Sequence, residues 1–224
     1  MPDTRPVDGV VSTTYSLGIL PRKHQLSTLA VHDLAVLALQ PVSFAVHAAE
    51  CVCLTGPSGA GKSMLLRAIA DLIPHSGDAR LDELDCSQMK PSQWRKQVGY
   101  LPAESHWWSE RVGDHFVETD PDEFWRLGFE PQVLDWQISR LSTGEKQRLA
   151  LLRLLANQPH ALLLDEPTAS LDAANVGNAE GLIREYRQQH QAPVIWVSHD
   201  IAQIRRVADR VLRLDAGVVQ EVTL

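Results

Sequence analysis

The apolar residues near the beginning of the chain follow the period of β-strands. Between residues 26 and 46 they tend to alternate with polar residues, most clearly at Val42, Phe44 and Val46. Alternation places every second side chain on the same face of a strand. This part of the chain is therefore predicted to form strands with one buried face.

The pattern changes from strand to helix across a glycine-rich segment. Residues 50–55 are a short, mainly apolar run that predicts a strand. Leucine and isoleucine then recur at helical spacing from Leu65 to Ile73, where Pro74 stops the run. Between the strand and the helix, residues 56–63 read Gly-Pro-Ser-Gly-Ala-Gly-Lys-Ser. The prediction is a strand, a glycine-rich loop and a helix in succession.

Three further apolar runs predict the core of the fold. They cover residues 98–101, 161–165 and 194–197, and each is nearly continuous. Continuous runs of this length are typical of strands in a parallel sheet with helices on both faces. Residues 211–219 add two predicted strands around an Asp-Ala-Gly turn. The predicted class is α/β.

Two segments depart from this pattern. Residues 1–25 contain several prolines and glycines without a sustained period, which predicts a partly ordered N-terminal arm. Between residue 102 and about residue 140, four tryptophans stand among prolines, glycines and acidic residues. We expect this second segment to form a lobe inserted between strands of the core.

Composition and charge narrow the class of protein. Of the 224 residues 44% are apolar and 22% are charged, which is typical of a globular protein. The net charge of −7 argues against a dedicated nucleic-acid binder, which normally carries a basic stripe. No stretch approaches the ~18 uninterrupted apolar residues of a spanning helix, and the first residues lack the layout of a signal peptide. The chain is expected neither to enter nor to cross a membrane by itself.

The cysteines indicate a reducing compartment. Cys51, Cys53 and Cys86 are too few and too irregularly spaced for a disulfide framework. The first two would lie on one face of a strand, with no clustered His or Cys to complete a metal site. We therefore expect buried thiols in a cytosolic protein.

Residues 56–63 match the pattern G-x-x-x-x-G-K-[ST] at every fixed position and have the strand and helix that its mechanism requires. Glycines allow backbone amides to face phosphate oxygens, and the helix presents its positive end. Lys62 is expected to reach the β- and γ-phosphates, and Ser63 to bind Mg²⁺ through its hydroxyl. The predicted ATP-binding loop, called the phosphate loop below, consists of Gly56, Pro57, Ser58, Gly59, Ala60, Gly61, Lys62 and Ser63.

Three later motifs identify a family. Residues 141–148 read Leu-Ser-Thr-Gly-Glu-Lys-Gln-Arg, residues 162–168 read Leu-Leu-Leu-Asp-Glu-Pro-Thr, and residues 170–172 read Ser-Leu-Asp. Together with the phosphate loop, and in this order, they resemble the motifs of ATP-binding cassette (ABC) ATPases. The resemblance covers about residues 26–224. Between the motifs, the sequence is similar to that of bacterial iron-export cassettes.

The resemblance implies the P-loop ABC-cassette fold, with a mostly parallel core sheet flanked by helices. It also implies an N-terminal antiparallel β subdomain and a small helical subdomain. The expected division is an arm at 1–25, an ATP-binding core with the β subdomain at 26–102 and 157–224, and a helical subdomain at 103–156.

The first of the three later motifs, residues 141–148, has both a structural and a functional interpretation. Ser142-x-x-Glu145 is a capping box, which begins a helix with its amide donors directed at an anion. The resemblance implies that Ser142 and Gly144 face the γ-phosphate of ATP held by a second cassette. Family members more often have glycine and glutamine at the positions of Thr143 and Glu145, a mild departure. The expected partner is thus a second ATP-binding subunit, usually in a homodimer.

Four further residues carry the predicted chemistry. Asp165 ends an apolar strand, where its carboxylate can reach Mg²⁺ through water, and Glu166 follows as the general base for the attacking water. The resemblance implies that His199 contacts the γ-phosphate and braces Glu166. It also implies that Asp172 communicates across the dimer.

The chain departs from the family pattern at two places. Where the family has a glutamine that senses Mg²⁺, this chain has Pro102-Ala103-Glu104. Either Glu104 replaces the glutamine as a metal ligand, or the coupling to the membrane partner differs. Residues 34–38 offer no aromatic side chain for the adenine, and Tyr15 is a remote candidate. We therefore expect loose discrimination between ATP and GTP.

The predicted function is that of the ATP-hydrolysing subunit of an ABC transporter, with ATP and Mg²⁺ as cofactors. A membrane-spanning permease is the expected partner and would hold the chain on the inner face of the cell membrane. Trp107 and Trp108 either form part of a groove in which the permease docks, or simply pack the small lobe. The alternatives are a soluble ABC ATPase that acts on nucleic acid or a protein complex, and a subunit that binds ATP without hydrolysing it.

Overall fold

The computed structural model describes residues 27–36, 39–117 and 121–223. The predicted arm lies outside the described residues. The described chain forms two sheets, whose strands are Leu29–Ala35 (β1), Val42–Val46 (β2), Cys51–Thr55 (β3), Ser76–Leu81 (β4), Leu84–Asp85 (β5), Val98–Leu101 (β6), Ala161–Asp165 (β7), Val194–Val197 (β8), Arg210–Asp215 (β9) and Val218–Val222 (β10). The α-helices of the same residues are Lys62–Ile69 (α1), Pro91–Gln97 (α2), Pro121–Arg126 (α3), Thr143–Ala156 (α4), Ala173–His190 (α5) and Ile201–Val207 (α6). Short 3₁₀ helices cover Cys86–Gln88, Gly113–His115, Pro131–Asp135 and Ile138–Arg140.

The larger sheet has the order β10-β9-β3-β8-β7-β6. Strands β9, β3, β8, β7 and β6 are parallel, and β10 joins the edge antiparallel to β9. Every residue of β7 and β8 is buried, as the continuous apolar runs predict for strands covered on both faces. The parallel core and the final pair of strands are confirmed.

The smaller sheet is antiparallel, with the order β2-β1-β4-β5. In β1 the side chains of Leu29, Val31 and Leu34 are buried and the intervening ones are more exposed. The strands with one buried face that the alternation predicts are therefore present. The small sheet is the N-terminal antiparallel β part of the expected fold.

Two hydrophobic cores lie on opposite faces of the larger sheet. Val52 and Leu54 belong to the core that α1 and the smaller sheet share. Cys51 and Cys53 belong to the opposite core, which includes α4 and α5. All three cysteines are free and buried, so both the burial of the thiols and their placement on one strand face are confirmed.

Helix α1 is shorter than its apolar pattern predicts. It ends at Ile69, and Leu72 is 45% exposed. Asp71 takes the left-handed conformation with φ 53°, which breaks the helix before Pro74 is reached. The predicted end at Pro74 is wrong because backbone conformation, not the proline, terminates the helix.

The residues between β6 and α4, where the sequence predicts an inserted lobe, include α3 and short 3₁₀ helices. Phe124, Leu127, Phe129 and Val133 are buried there and join the core that packs on α4. Within the described residues, no helix is long and apolar enough to cross a membrane.

Candidate nucleotide-binding and catalytic site

The phosphate loop connects β3 to α1 and depends on its glycines. Gly56 has φ +143°, and a Cβ atom there would lie 2.0 Å from the carbonyl oxygen of Leu214 on β9. Gly61 has φ +103° and precedes the first residue of α1. Larger residues would therefore clash or be strained at both positions. The Lys62 ammonium donates to the carbonyl oxygens of Gly56 and Pro57, at 2.9 Å each.

The carboxyl ends of neighbouring strands bring the predicted catalytic residues to one edge of the sheet. Because β3, β8 and β7 are adjacent and parallel, the phosphate loop, His199 and Glu166 all follow strands at this edge. The His199 Nδ1 atom lies 3.5 Å from Glu166 Oε1. Both residues line a cleft of about 240 Å³.

The adjacent carboxylates of Asp165 and Glu166 have different surroundings. Asp165 is 2% exposed at the end of β7. Glu166 has φ 48° and its amide donates to Val197, and its side chain is 32% exposed. The left-handed backbone at Glu166 directs the second side chain away from the first. One carboxylate is thus held inside the protein and the other faces the cleft.

The surroundings of Asp165 fit a magnesium ion that is shared with phosphate oxygens. The Tyr100 hydroxyl donates to Asp165 Oδ2 at 3.2 Å, and Arg67 Nε donates to that hydroxyl at 3.4 Å. Burial raises the pKa of Tyr100, which keeps its hydroxyl a donor. Among the described residues, no group of three or more His, Cys, Asp or Glu could hold a metal ion. Mg²⁺ is usually bound by one or two protein oxygens together with substrate phosphates, and Ser63 and Asp165 carry oxygens of the kind that would hold it.

Helix α4 begins with the predicted capping box. The Glu145 amide donates to Ser142 Oγ at 3.3 Å, and the Ser142 amide donates to a Glu145 carboxylate oxygen at 2.8 Å. The backbone hydrogen bond from Ser142 lowers the pKa of Glu145. A Cβ atom on Gly144 would lie 2.9 Å from the carbonyl oxygen of Ser170, so the segment after β7 packs closely against this helix start.

Asp172 caps the next helix. Its carboxylate accepts hydrogen bonds from the backbone amide and side-chain amide of Asn175, at 3.0 and 2.7 Å. The backbone hydrogen bond from Asn175 lowers the pKa of Asp172. The predicted communication residue therefore starts α5 within its own chain.

The remaining predicted residues that the structure describes lie on elements other than the phosphate loop. Ser142 and Gly144 make the contacts described above with Glu145 and Ser170, and none of these contacts includes a residue of the phosphate loop. Glu104 is exposed in the loop that follows β6. Tyr15, the candidate for the adenine, lies outside the described residues.

Sequence reasoning missed two side chains that support the site. Gln147, on α4, is 2% exposed and donates to the carbonyl oxygen of Pro102 at 3.2 Å, which fixes the loop that leads to Glu104. Gln203, on α6, forms hydrogen bonds with Thr168 and Ser198, which lie close in sequence to Glu166 and His199. A polar residue on the buried face of a helix is the signal that could have found each of them.

Trp107 and Trp108 belong to one aromatic cluster, and their part in docking a partner stays a prediction. Their rings meet the His115 ring edge-on at 4.8 and 4.4 Å, and the Arg153 guanidinium lies 4.4 and 4.7 Å from their centres. Trp107 is partly buried in this cluster, whereas Trp108 is 73% exposed. The pair packs the lobe and also presents an aromatic surface.

Comparison with known proteins identifies the class. The model of the ABC transporter family matches residues 39–169. The probable iron export ATP-binding protein FetA of Escherichia coli (strain K12) is 37% identical over 198 residues, which cover 82% of this chain and 88% of that protein. The zinc import ATP-binding protein ZnuC of Pseudomonas savastanoi pv. phaseolicola (strain 1448A / Race 6) is 32% identical over 87% of this chain and 73% of its own length. The chain therefore belongs to the ABC transporter family.

Solved structures agree on the fold. A bacterial Atm1-family ABC exporter with ATP bound superposes with TM-score 0.76 at 25% identity, covering 88% of this chain and 38% of the exporter chain. The structure of an ATP-binding subunit of an ABC transporter gives TM-score 0.75 at 24% identity, covering 88% and 90%. Within the family, this protein is an ATP-binding and ATP-hydrolysing subunit of an ABC transporter, as the sequence predicts.

Proposed function

We propose that this chain binds ATP with Mg²⁺ on the phosphate loop and hydrolyses it with Glu166 and His199. Glu166 accepts a proton from the attacking water, and His199 holds the Glu166 carboxylate and contacts the γ-phosphate. The 3.5 Å contact between these two side chains, at the ends of adjacent strands, is the observation that carries this proposal.

The phosphate end is formed by Lys62, Ser63 and Asp165. Lys62 exchanges its carbonyl partners for the β- and γ-phosphates, because a charge-assisted bond to phosphate is stronger than one to a neutral carbonyl. Ser63 and the buried Asp165 carboxylate hold Mg²⁺, with Glu104 as a third, weaker candidate. When bound, Mg²⁺ neutralises charge on the phosphate oxygens.

A second copy of the chain completes the site. Ser142 and Gly144 stand at the start of α4, where amide groups and the helix dipole favour an anion. Their contacts within the chain are with Glu145 and Ser170, and the anion that we assign to them is the γ-phosphate of ATP on the phosphate loop of the partner copy. Asp172 directly follows Ser170 and Leu171, the residues against which Gly144 packs. In this proposal it would couple the closing of the dimer between the two copies.

A permease is the proposed membrane partner, and it would hold the chain on the inner face of the membrane. Trp108 is 73% exposed and lies four residues after Glu104, so it would offer an aromatic contact to a helix of the permease. The proposed domain boundaries are those of the sequence prediction, with the helical subdomain at 103–156 between core segments 26–102 and 157–224.

The relatives are named for different cargoes, including iron and zinc, which is expected where the permease selects the cargo.

The test is ATP hydrolysis by the purified protein, alone and with the permease from a neighbouring gene. Glu166→Gln is expected to lower turnover by roughly 10² to 10⁴, the usual contribution of a general base, while ATP still binds. The matched control is Glu83→Gln in the exposed turn between β4 and β5, which should hydrolyse ATP at the wild-type rate. Equal turnover in wild type and Glu166→Gln would remove Glu166 from the proposed role.

A further inference from the structure

Four polar side chains form a buried network beneath the proposed catalytic pair. Thr168, Glu180, Ser198 and Gln203 are between 5% and 8% exposed. The Gln203 side-chain amide donates to Thr168 Oγ1 at 2.8 Å and to Glu180 Oε1 at 3.0 Å. Its oxygen accepts a hydrogen bond from Ser198 Oγ at 2.9 Å. One glutamine on α6 thus joins α5 to the segments that follow β7 and β8.

The orientation of the Gln203 amide is fixed by charge. Burial raises the pKa of Glu180, but hydrogen bonds from Arg206 and Gln203 outweigh it, and the net direction is downward. Arg206 donates to both carboxylate oxygens, at 3.1 and 2.8 Å. An ionised carboxylate only accepts hydrogen bonds, so the NH₂ group of Gln203 must face Glu180 and its oxygen must face Ser198.

The two residues that Gln203 joins lie next to the catalytic pair in sequence. Ser198 immediately precedes His199, and Thr168 lies two residues after Glu166. Ser198 Oγ also accepts from the Asp200 amide at 3.1 Å, which ties the backbone on both sides of His199 to the network. A chain of hydrogen bonds through a single side chain therefore joins the His199 and Glu166 loops, in addition to the backbone hydrogen bond from the Glu166 amide to the Val197 carbonyl oxygen.

We propose that Gln203 is a positioning residue for ATP hydrolysis, which clamps the His199 loop against the Glu166 loop. The inference rests on the proposed roles of His199 and Glu166. Gln203 lines the same cleft as both residues, but its polar atoms are used by Thr168, Glu180 and Ser198 rather than directed at substrate. It acts on the reaction by holding His199 at its distance from Glu166.

A purely structural role makes a different prediction from a clamp. Loss of buried hydrogen bonds lowers folding stability in either case. Only a clamp also makes the effect on turnover depend on His199, since its purpose is to place that side chain. The distinction is measurable by a double-mutant cycle, because residues that act through one another give non-additive effects.

The experiment compares Gln203→Met, His199→Ala and the double variant in steady-state ATP hydrolysis and ATP binding. Methionine keeps the length of glutamine and removes the hydrogen bonds. We expect Gln203→Met to lower kcat roughly 10- to 100-fold, the range for a misplaced catalytic group, with KM for ATP unchanged. In the His199→Ala background the same substitution should have no further effect on kcat.

Two variants serve as control and second probe. Tyr186→Phe removes a buried hydrogen bond to the Pro159 carbonyl oxygen, 2.7 Å long and on α5 away from the cleft, and should lower stability without lowering kcat. If Gln203→Met does not fold, Thr168→Val tests the same clamp, because it removes one hydrogen bond and leaves Glu180 paired. It should show the same dependence on His199.

The outcomes separate the clamp from the catalytic assignment. Unchanged kcat in folded Gln203→Met or Thr168→Val overturns the clamp. A loss of kcat that is equally large with and without His199, where His199→Ala itself lowers turnover, overturns the clamp and leaves the proposed function intact. Wild-type turnover in His199→Ala contradicts both.

Discussion

The neighbouring carboxylates of Asp165 and Glu166 point to different surroundings because Glu166 has a left-handed backbone conformation. Asp165 ends the strand inside the protein, and the left-handed Glu166 turns its side chain towards His199. Adjacent carboxylates at the end of an apolar strand predict this divergence from sequence alone. The hydroxyl of Tyr100 that bonds Asp165 was not predictable, because it belongs to a strand 65 residues earlier and no local pattern links them.

Gln203 illustrates the same limit at greater depth. Its partners Thr168 and Glu180 lie 35 and 23 residues away, and only the packing of α6 on α5 and the strand ends brings them together. A motif with fixed spacing, such as the phosphate loop, can be predicted because its residues are neighbours in the chain. Residues on other elements that support the motif, such as Gln203, can be found only in the structure.

Glu104 is predicted to influence the metal dependence of hydrolysis. It stands one residue after the position where the family has its glutamine, in a loop that Gln147 holds to α4. Glu104→Ala is expected to raise the Mg²⁺ concentration for half-maximal turnover by roughly tenfold, as loss of a supporting ligand commonly does. Glu110→Ala, at another exposed carboxylate of this segment, is the control. Unaltered turnover and Mg²⁺ dependence in Glu104→Ala would exclude its role.

The nucleotide base is predicted to be weakly selected. Residues 34–38 supply no aromatic side chain, so the base lacks a stacking partner from this part of the sequence. ATP and GTP should therefore bind with comparable affinity, measured by titration calorimetry on Glu166→Gln to prevent turnover. A strong preference for ATP would contradict this expectation and would direct attention to Tyr15.

At the scale of elements, helix starts are the features that the sequence predicts best. The capping box of α4 is present as the spacing of Ser142 and Glu145 predicts, because it involves only residues within one turn. The end of α1 was predicted less well, since the left-handed Asp71 terminates it before the proline. Hydrogen bonds within one turn follow from the local sequence. The end of α1 also depends on where β4, the next strand, must lie in the smaller sheet.

The start of α4 is predicted to contribute to stability in a way that depends on pH. The pKa of Glu145 is lowered in the folded state, because it accepts the Ser142 amide hydrogen bond. Its contribution is therefore complete above the unfolded-state value of about 4.3 and is lost as the pH falls through the lower folded-state pKa. Glu145→Gln keeps the reciprocal hydrogen bonds without the charge.

The measurement is denaturant unfolding at pH 7 and at pH 4 and below. Between these conditions the free energy of unfolding should fall less in Glu145→Gln than in wild type. Ser142→Ala, which removes the cap itself, should cost about 1 kcal/mol at pH 7. An identical pH dependence in wild type and Glu145→Gln would show that the carboxylate charge adds nothing to the cap.

At the scale of the whole molecule, the chain binds a polyanion although its own net charge is negative. Its net charge is −7, yet the phosphate loop uses backbone amides, the start of α1 and Lys62, which act locally. The sheet order brings the phosphate loop, Glu166 and His199 to one edge. Ser142 and Gly144 contact Glu145 and Ser170 rather than the phosphate loop, and we propose that a second copy brings them to the nucleotide.

The most direct test of this account is the molar mass of Glu166→Gln in the presence of ATP and Mg²⁺, measured by size-exclusion chromatography with light scattering. Without nucleotide the protein should elute as one chain of 24.9 kDa. With ATP it should shift to about 50 kDa, twice that mass, and Lys62→Ala in the same background should prevent the shift. A protein that binds ATP stoichiometrically and remains at the mass of one chain would contradict the proposal that two copies enclose the nucleotide.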